Sequence, residues 1–446
     1  MNIINRINLS EYIAQKDDNG ELVNVSLFSP IRLYLSSGYS KMFTCVPKFD
    51  IRNGIKANDL LYFKVNNTTG FNMFGRVNES NGSCEDVAEV LASYLIENLN
   101  KKTGGPAILK PTLYDFAIYE NYGELTEYES NTASLFTTKK IYGCVSKNIL
   151  TDHANILHGR TILQNVENDE KKAFYSNNIY SYDQAIKKIK EEFLKSNTKI
   201  YVDPSCNRYL ANLIFFDYFY ANSDRHSGNI CFENVKLGEN KLLLQPLPVL
   251  DNGGGMAMQA NNCYDFYLRI SDELKINDGK FENLPFTSNL SLIVGEKCFK
   301  NEDIKNSYKY LTDAEMIVAL ISQNKILFND FKNMFNNLDV SASLKKMCLK
   351  NGLQLKGFNS ENSFLPDIEN IITATMNFKK KEISKVMANI LKVDFDEEKY
   401  EKNDNIYIDI FERFVEEDEL MVHIASNNEI EKFRDNISKF NIEKER

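Results

Sequence analysis

Between about residues 22 and 66 apolar side chains recur at every second position in short runs, VNVSLF, RLYL, MFTCV and LLYFKV, broken by turn-rich pieces such as Phe49-Asp50-Ile51-Arg52-Asn53-Gly54. A period of two in segments rich in β-branched and aromatic residues predicts strands, and the short spacers predict antiparallel pairing. The period then changes. From Ser83, SCEDVAEVLASYLIENLN puts Val87, Val90, Leu91, Tyr94 and Leu95 on one stripe behind an N-capping serine and first-turn acids, which predicts a long helix. PAIL with LYDFAIY, and then KKIYGCVS, predict further strands. The first 150 residues or so read as a sheet carrying one long helix.

After residue 180 the spacing turns helical in SYDQAIKKIKEEFLKS, in NRYLANLIFFDYFYANS and, past residue 305, in a series of amphipathic segments. Two stretches of strands and loops interrupt this, ICFENVKLGENKLLLQPLPVLDNGGG and the segment around PFTSNLSLIV. The expected class is α+β, divided into residues 1–148, 149–300 and 301–446, with the last part helical. No repeat of fixed period and no low-complexity linker marks the boundaries. The late acidic runs DFDEEKYEKNDN and EEDEL read as solvated faces.

Composition narrows the functional classes. With 446 residues and 43% hydrophobic side chains the chain can bury a core in two or three domains. A net charge of −9 disfavours general affinity for polyphosphate backbones, so nucleic acid is not an expected partner, although a nucleotide pocket needs only a lysine or two beside a metal. The eight cysteines, Cys45, Cys84, Cys144, Cys206, Cys231, Cys263, Cys298 and Cys348, form no C-x-x-C pair. That spacing suggests neither zinc nor a disulfide framework and fits a reducing, cytoplasmic setting. No apolar run approaches the roughly 20 residues that cross a bilayer, so a membrane is not expected as partner.

The densest chemistry lies where the aromatic run of residues 215–220 ends, in Asp217-Tyr218-Phe219-Tyr220-Ala221-Asn222-Ser223-Asp224-Arg225-His226-Ser227-Gly228-Asn229. An Asp followed five residues later by an Asn lets one loop present a proton acceptor and a metal ligand, as phosphoryl transfer requires; Asp224 and Asn229 have that spacing. Magnesium also wants a carboxylate, and Asp251 supplies one between the apolar Pro246-Leu247-Pro248-Val249-Leu250 and the flexible Asn252-Gly253-Gly254-Gly255. A hairpin between Asn229 and Asp251 would bring both to one ion. Arg225 and His226 read as loop-tying groups, and Asp217, inside an apolar helix, as a buried carboxylate bonded to the loop that follows. Phe215, Phe216, Tyr218, Phe219 and Tyr220 read as core. His153, His158 and His423 form no pairing that would serve a nucleophile.

The segment N-x-D-R-H-x-x-N at Asn222 to Asn229, followed by D-N-G at Asp251, resembles the signature of HipA-like serine/threonine kinases, including the CtkA type, and more remotely that of phosphatidylinositol 3/4-kinases. The order of elements matches over roughly residues 30 to 260, and the specific part is Asn222 to Gly253. The resemblance implies a bilobal kinase-like fold using ATP and Mg, with residues 1–148 as the nucleotide-binding lobe. It implies Asp224 as catalytic base, and Asn229 with Asp251 as metal ligands. By order, Lys64 in LLYFKV takes the place of the phosphate-binding lysine, and Glu89 that of its helix partner, with Glu85 one turn earlier as the competing choice. Ser36-Ser37-Gly38-Tyr39-Ser40-Lys41 takes the place of the phosphate-covering loop, so that Ser37, Gly38 and Ser40 join the nucleotide contacts; it carries a single glycine, and some relatives phosphorylate a serine there. A protein substrate is implied, and an antitoxin or regulatory partner is in keeping with such families. The competing readings are a small-molecule or lipid kinase, and a nucleotide-holding pseudokinase that works as an interaction module.

Overall fold

The computed structural model describes residues 6–34, 42–51, 54–65, 85–104, 107–120, 140–147, 154–158, 199–202, 205–222, 225, 229, 231–238, 241–255, 311–351 and 368–415. It is a mixed α+β structure. Strands β1 (Ile7–Asn8), β4 (Arg32–Tyr34), β5 (Met42–Cys45), β6 (Leu61–Val65), β7 (Tyr114–Glu120) and β8 (Lys140–Lys147) form a sheet in the order β1-β7-β8-β6-β5-β4. All its pairings are antiparallel except β1 with β7. The hairpin β2 (Tyr12–Lys16) and β3 (Leu22–Ser26) stands beside it. Helix α1 (Glu85–Thr103) crosses β7 and β8.

Side-chain alternation divides the two faces of the sheet. Ile7, Phe43, Leu61, Phe63, Val65, Ala117, Ile141 and Val145 belong to one core. Phe116 and Cys144 point the other way, into the core that contains Val87, Val90, Leu91 and Leu95 of α1. Lys64, between Phe63 and Val65, is thereby turned toward α1, opposite Cys144 in the register of β6 and β8. The strand pattern thus delivers a lysine to a helix.

A second sheet runs β10 (Lys199–Val202), β12 (Lys241–Pro246), β11 (Cys231–Gly238), β9 (Ala154–His158), with β11 and β12 as an antiparallel hairpin. Helix α2 (Ser205–Tyr220) precedes that hairpin, and its Phe215, Phe216, Tyr218, Phe219 and Tyr220 are all fully buried. Helices α3 (Asp313–Ser322), α4 (Lys325–Asn337), α5 (Val340–Asn351), α6 (Ile368–Leu391), α7 (Glu397–Lys402) and α8 (Ile406–Phe411) complete the described part. Thr312 and Glu315 close a capping box at α3, and Asn324 caps α4. Phe331 and Phe335 of α4 pack on Phe219, so the aromatic run is core. Around α7 the acidic run is mostly solvated, with Tyr400 turned inward.

The structure differs from the sequence reading within PAIL, at β1 and β2, and at β9 and β10, which the sequence reading does not expect as strands. Within PAIL, residues 107–109 form no strand, and this segment runs as turn and coil into β7. Strands β1 and β2 arise in a polar stretch where no strand is expected; β1 is two residues long, and its pairing with β7 rather than any period of its own makes it a strand. The expected N-cap Ser83 lies outside the described residues, within which the helix runs from Glu85. The segments SYDQAIKKIKEEFLKS and PFTSNLSLIV lie outside the described residues. Among the described residues no helix is long and apolar enough to cross a membrane.

Candidate functional site

The site is assembled by an ion pair across the sheet–helix boundary. Lys64 Nζ donates to Glu89 Oε1 at 2.6 Å and also to Asp251 Oδ1. Glu89 is fully buried and Lys64 is 9% exposed. Burial alone would pull the Lys64 ammonium down, but the carboxylates of Asp251, Glu89 and Glu85 overrule it and hold its pKa well above the ordinary lysine value. These carboxylates favour the charged ammonium. Glu89 Oε2 accepts from the Asn252 amide at 2.9 Å, so this one carboxylate holds both the lysine and the turn after Asp251. Glu89, the helix partner expected by order of elements, is thus bonded to Lys64. Glu85 stays close to Lys64 and lines the other side: a β-carbon on Gly253 would sit 3.4 Å from both Glu85 Cβ and Lys64 Nζ.

The second half of the site hangs on Arg225, which is fully buried. Its Nε and Nη2 donate to Asp217 Oδ2 and Oδ1 at 2.8 and 3.1 Å, a bidentate pair that anchors the loop to the last turns of α2. Its Nη1 donates to the carbonyls of Asn229 at 3.1 Å and Leu250 at 2.5 Å, and Nη2 also donates to Asn252 Oδ1 at 2.7 Å. One guanidinium therefore gathers the backbone at both ends of the β11–β12 hairpin. Burial lifts the Asp217 carboxyl above the usual carboxylate range, and the guanidinium pulls it part of the way back.

Local backbone fits this arrangement. Helix α2 ends with Ala221 at φ 48°, and the Asn222 amide reaches back to the Asp217 carbonyl at 3.1 Å, a left-handed helix stop with alanine where glycine is usual. Asp251 has φ 55°, a conformation that Asp tolerates better than most side chains, and its carboxylate is 37% exposed. Strain of this kind collects at functional loops. Buried Asn222 bonds the Asp217 carboxylate and donates to the Asp251 carbonyl at 3.5 Å. Gly255 closes the turn through its amide to the Asn252 carbonyl at 2.9 Å.

Behind that turn lies Tyr220, whose hydroxyl donates to the Ala88 carbonyl at 2.7 Å, joining α2 to α1 one residue from Glu89. A β-carbon on Gly255 would fall 1.9 Å from Tyr220 Cε1, and the ring, fully buried and stacked on Phe216, has nowhere to go. Gly255→Ala is therefore predicted to destabilise the protein by about 1–3 kcal/mol through overpacking. An unchanged midpoint in urea denaturation would show that the turn can move away.

The predicted residues thus divide. Lys64, Glu89 and Asp251 are in direct or shared contact, and the Asn229 backbone reaches them through Arg225. Asp224, Ser37, Gly38 and Ser40 lie outside the described residues. Asn252, which the sequence places in the turn and in the D-N-G signature without a role of its own, bonds Glu89 and Arg225 together. Half-buried Tyr114 lies within electrostatic reach of Lys64, Glu89 and Asp251, and burial pushes its phenol up.

Neither a family model nor a curated protein matches the chain. Among solved structures it is similar to HipA of Shewanella oneidensis MR-1, in a toxin–antitoxin complex with HipB and operator DNA, at a TM-score of 0.33 and 10% identity over 82% of this chain and 68% of that one. The functional reading rests on the geometry of the site itself.

Proposed function

We propose that the chain is an ATP- and Mg-dependent phosphotransferase acting on serine or threonine of a protein substrate, with a bilobal kinase-like arrangement. The observation that carries the proposal is Lys64: one buried ammonium bonded to Glu89 on α1 and to Asp251 on a turn 187 residues further along the chain. An ammonium on an inner strand, held by one buried carboxylate and one partly exposed carboxylate, can give up the exposed contact to an anion that arrives with its own cation.

The donor chemistry fits that cation. Asp251 offers a partly exposed carboxylate and Asn229 a side-chain oxygen on the neighbouring loop, and magnesium takes oxygen ligands with phosphate and water completing its shell. When bound, the metal neutralises charge on the phosphate oxygens. The rest falls to the chain. Lys64 binds phosphate oxygens and orients them, and Glu89 fixes the ammonium so that no rearrangement is needed during transfer. On binding, Lys64 exchanges its contact with Asp251 for phosphate, which frees the carboxylate. Asp224, next to the immobilised Arg225, accepts the proton of the acceptor hydroxyl.

The test is transfer of labelled γ-phosphate from ATP in the presence of Mg, comparing wild type with Asp224→Ala. The variant is expected to lose about two to four orders of magnitude of transfer, the usual worth of a general base. Equal incorporation by both proteins would remove Asp224 from the mechanism.

A further inference from the structure

We propose that Arg6 is a positioning residue: it pins the start of α1 to the sheet, so that Glu89 is presented to Lys64. The inference deepens the phosphotransferase reading, because it concerns the group assigned there to the phosphates.

Arg6 precedes β1, and alternation turns its side chain to the face opposite the neighbouring Ile7. Ile7 joins the outer core of the sheet, whereas Arg6 reaches the face covered by α1. There its Nη1 donates to Asp86 Oδ2 at 2.9 Å, to the Ala117 carbonyl of β7 at 3.1 Å and to the Gly143 carbonyl of β8 at 3.3 Å. Its guanidinium carbon lies 4.9 Å from the Tyr142 ring centroid and 5.3 Å from that of Phe116. Both side chains of the ion pair are nearly or wholly buried, at 6% and 0% exposure.

Asp86 stands three residues before Glu89 on the helix. Residues three apart share a face, so α1 meets the sheet through two buried ion pairs one turn apart, Asp86 to Arg6 and Glu89 to Lys64. The first of these is anchored outside the site. Arg6 touches none of Lys64, Glu89 or Asp251 through its described bonds, and β1 is held independently by the Leu9 amide to the Ile118 carbonyl and by Ser10, which exchanges hydrogen bonds with Glu120. Were Arg6 removed, the buried Asp86 carboxylate would keep the Val87 amide on Oδ1 but lose the guanidinium on Oδ2, and moving the first turn of α1 outward into water relieves that loss. Glu89 lies on the next turn and would be carried with it.

The experiment compares wild type, Arg6→Ala, Arg6→Lys and the double variant Arg6→Ala/Asp86→Ala, which leaves no stranded charge and so guards against simple unfolding. Acylation of Lys64 by an amine-reactive ester is measured by mass spectrometry relative to Lys101, which is 62% exposed. In parallel, kcat/KM for ATP is measured with Mg and casein as acceptor. Lys64 acylation is expected to rise about tenfold in Arg6→Ala, where the stranded charge opens the helix start, and by a smaller factor in the double variant, where only the pin to the sheet is lost. The kcat/KM for ATP should fall about tenfold, with the KM for casein unchanged. Because every described bond of Arg6 comes from one nitrogen, Arg6→Lys should restore most of both. A folded double variant with wild-type Lys64 acylation would overturn the proposal. Raised acylation alongside a wild type that transfers no phosphate would keep the role of Arg6 and remove the phosphotransferase reading.

Discussion

Replacing Asp251 with asparagine is expected to lower phosphate transfer by about three orders of magnitude, roughly 4 kcal/mol of barrier, while leaving the protein folded. The expectation comes from separating what the backbone of Asp251 does from what its carboxylate does. The backbone is fixed by its neighbours: the Leu250 carbonyl accepts from Arg225, the Asn252 amide donates to Glu89, and the Asp251 carbonyl accepts from Asn222. Its φ of 55° suits asparagine at least as well as aspartate. The turn should therefore survive the exchange. The carboxylate, partly exposed and in contact with Lys64, loses its charge, and a hard divalent cation loses its anionic ligand. Lys64 keeps Glu89 and stays protonated. Transfer rates with Mg, read beside far-ultraviolet circular dichroism, check this. A folded Asp251→Asn protein within threefold of the wild-type rate would deny Asp251 any part in holding metal.

The sequence made the elements of this site visible better than the links between them. Alternation in LLYFKV puts Lys64 on the face opposite Phe63 and Val65, and the stripe from Val87 to Leu95 calls for a helix; both follow from periods that local side-chain burial imposes. Asp217 and Arg225 were also legible, because a carboxylate in an apolar helix needs a partner and the nearest cation follows eight residues later. The choice of Glu89 over Glu85 rested on the order of elements alone. The two stand one turn apart on one helix, and only the approach of β6 and of the Asn252 amide decides between them. Arg6 gave no local signal at all, since its partners are 80, 111 and 137 residues away. The polar N-terminal stretch forms β1 solely by pairing with β7, a tertiary effect that no local period records.

Substituting Arg225 with methionine is expected to cost about 3–5 kcal/mol of stability and to remove activity as well. Methionine fills much of the same space, so the cost is electrostatic rather than one of packing. Asp217, fully buried, would be left with an unpaired carboxylate, and the carbonyls of Asn229 and Leu250 and the side chain of Asn252 would each lose a donor where water cannot replace it. Urea denaturation followed by circular dichroism measures the loss, and a change below about 1 kcal/mol would contradict a tightly closed pocket around the guanidinium. The double variant Arg225→Met/Asp217→Leu tells the two contributions apart. It removes the stranded charge and should regain about half of the stability, since breaking a buried pair costs more than replacing it whole. It should not regain activity. Arg225 ties the Asn229 loop to the turn carrying Asp251, and without it the two ends of the hairpin lose that link between the proposed oxygen ligands. Stability restored without phosphate transfer would separate the role of Arg225 in folding from its proposed role in bringing Asn229 and Asp251 to one ion.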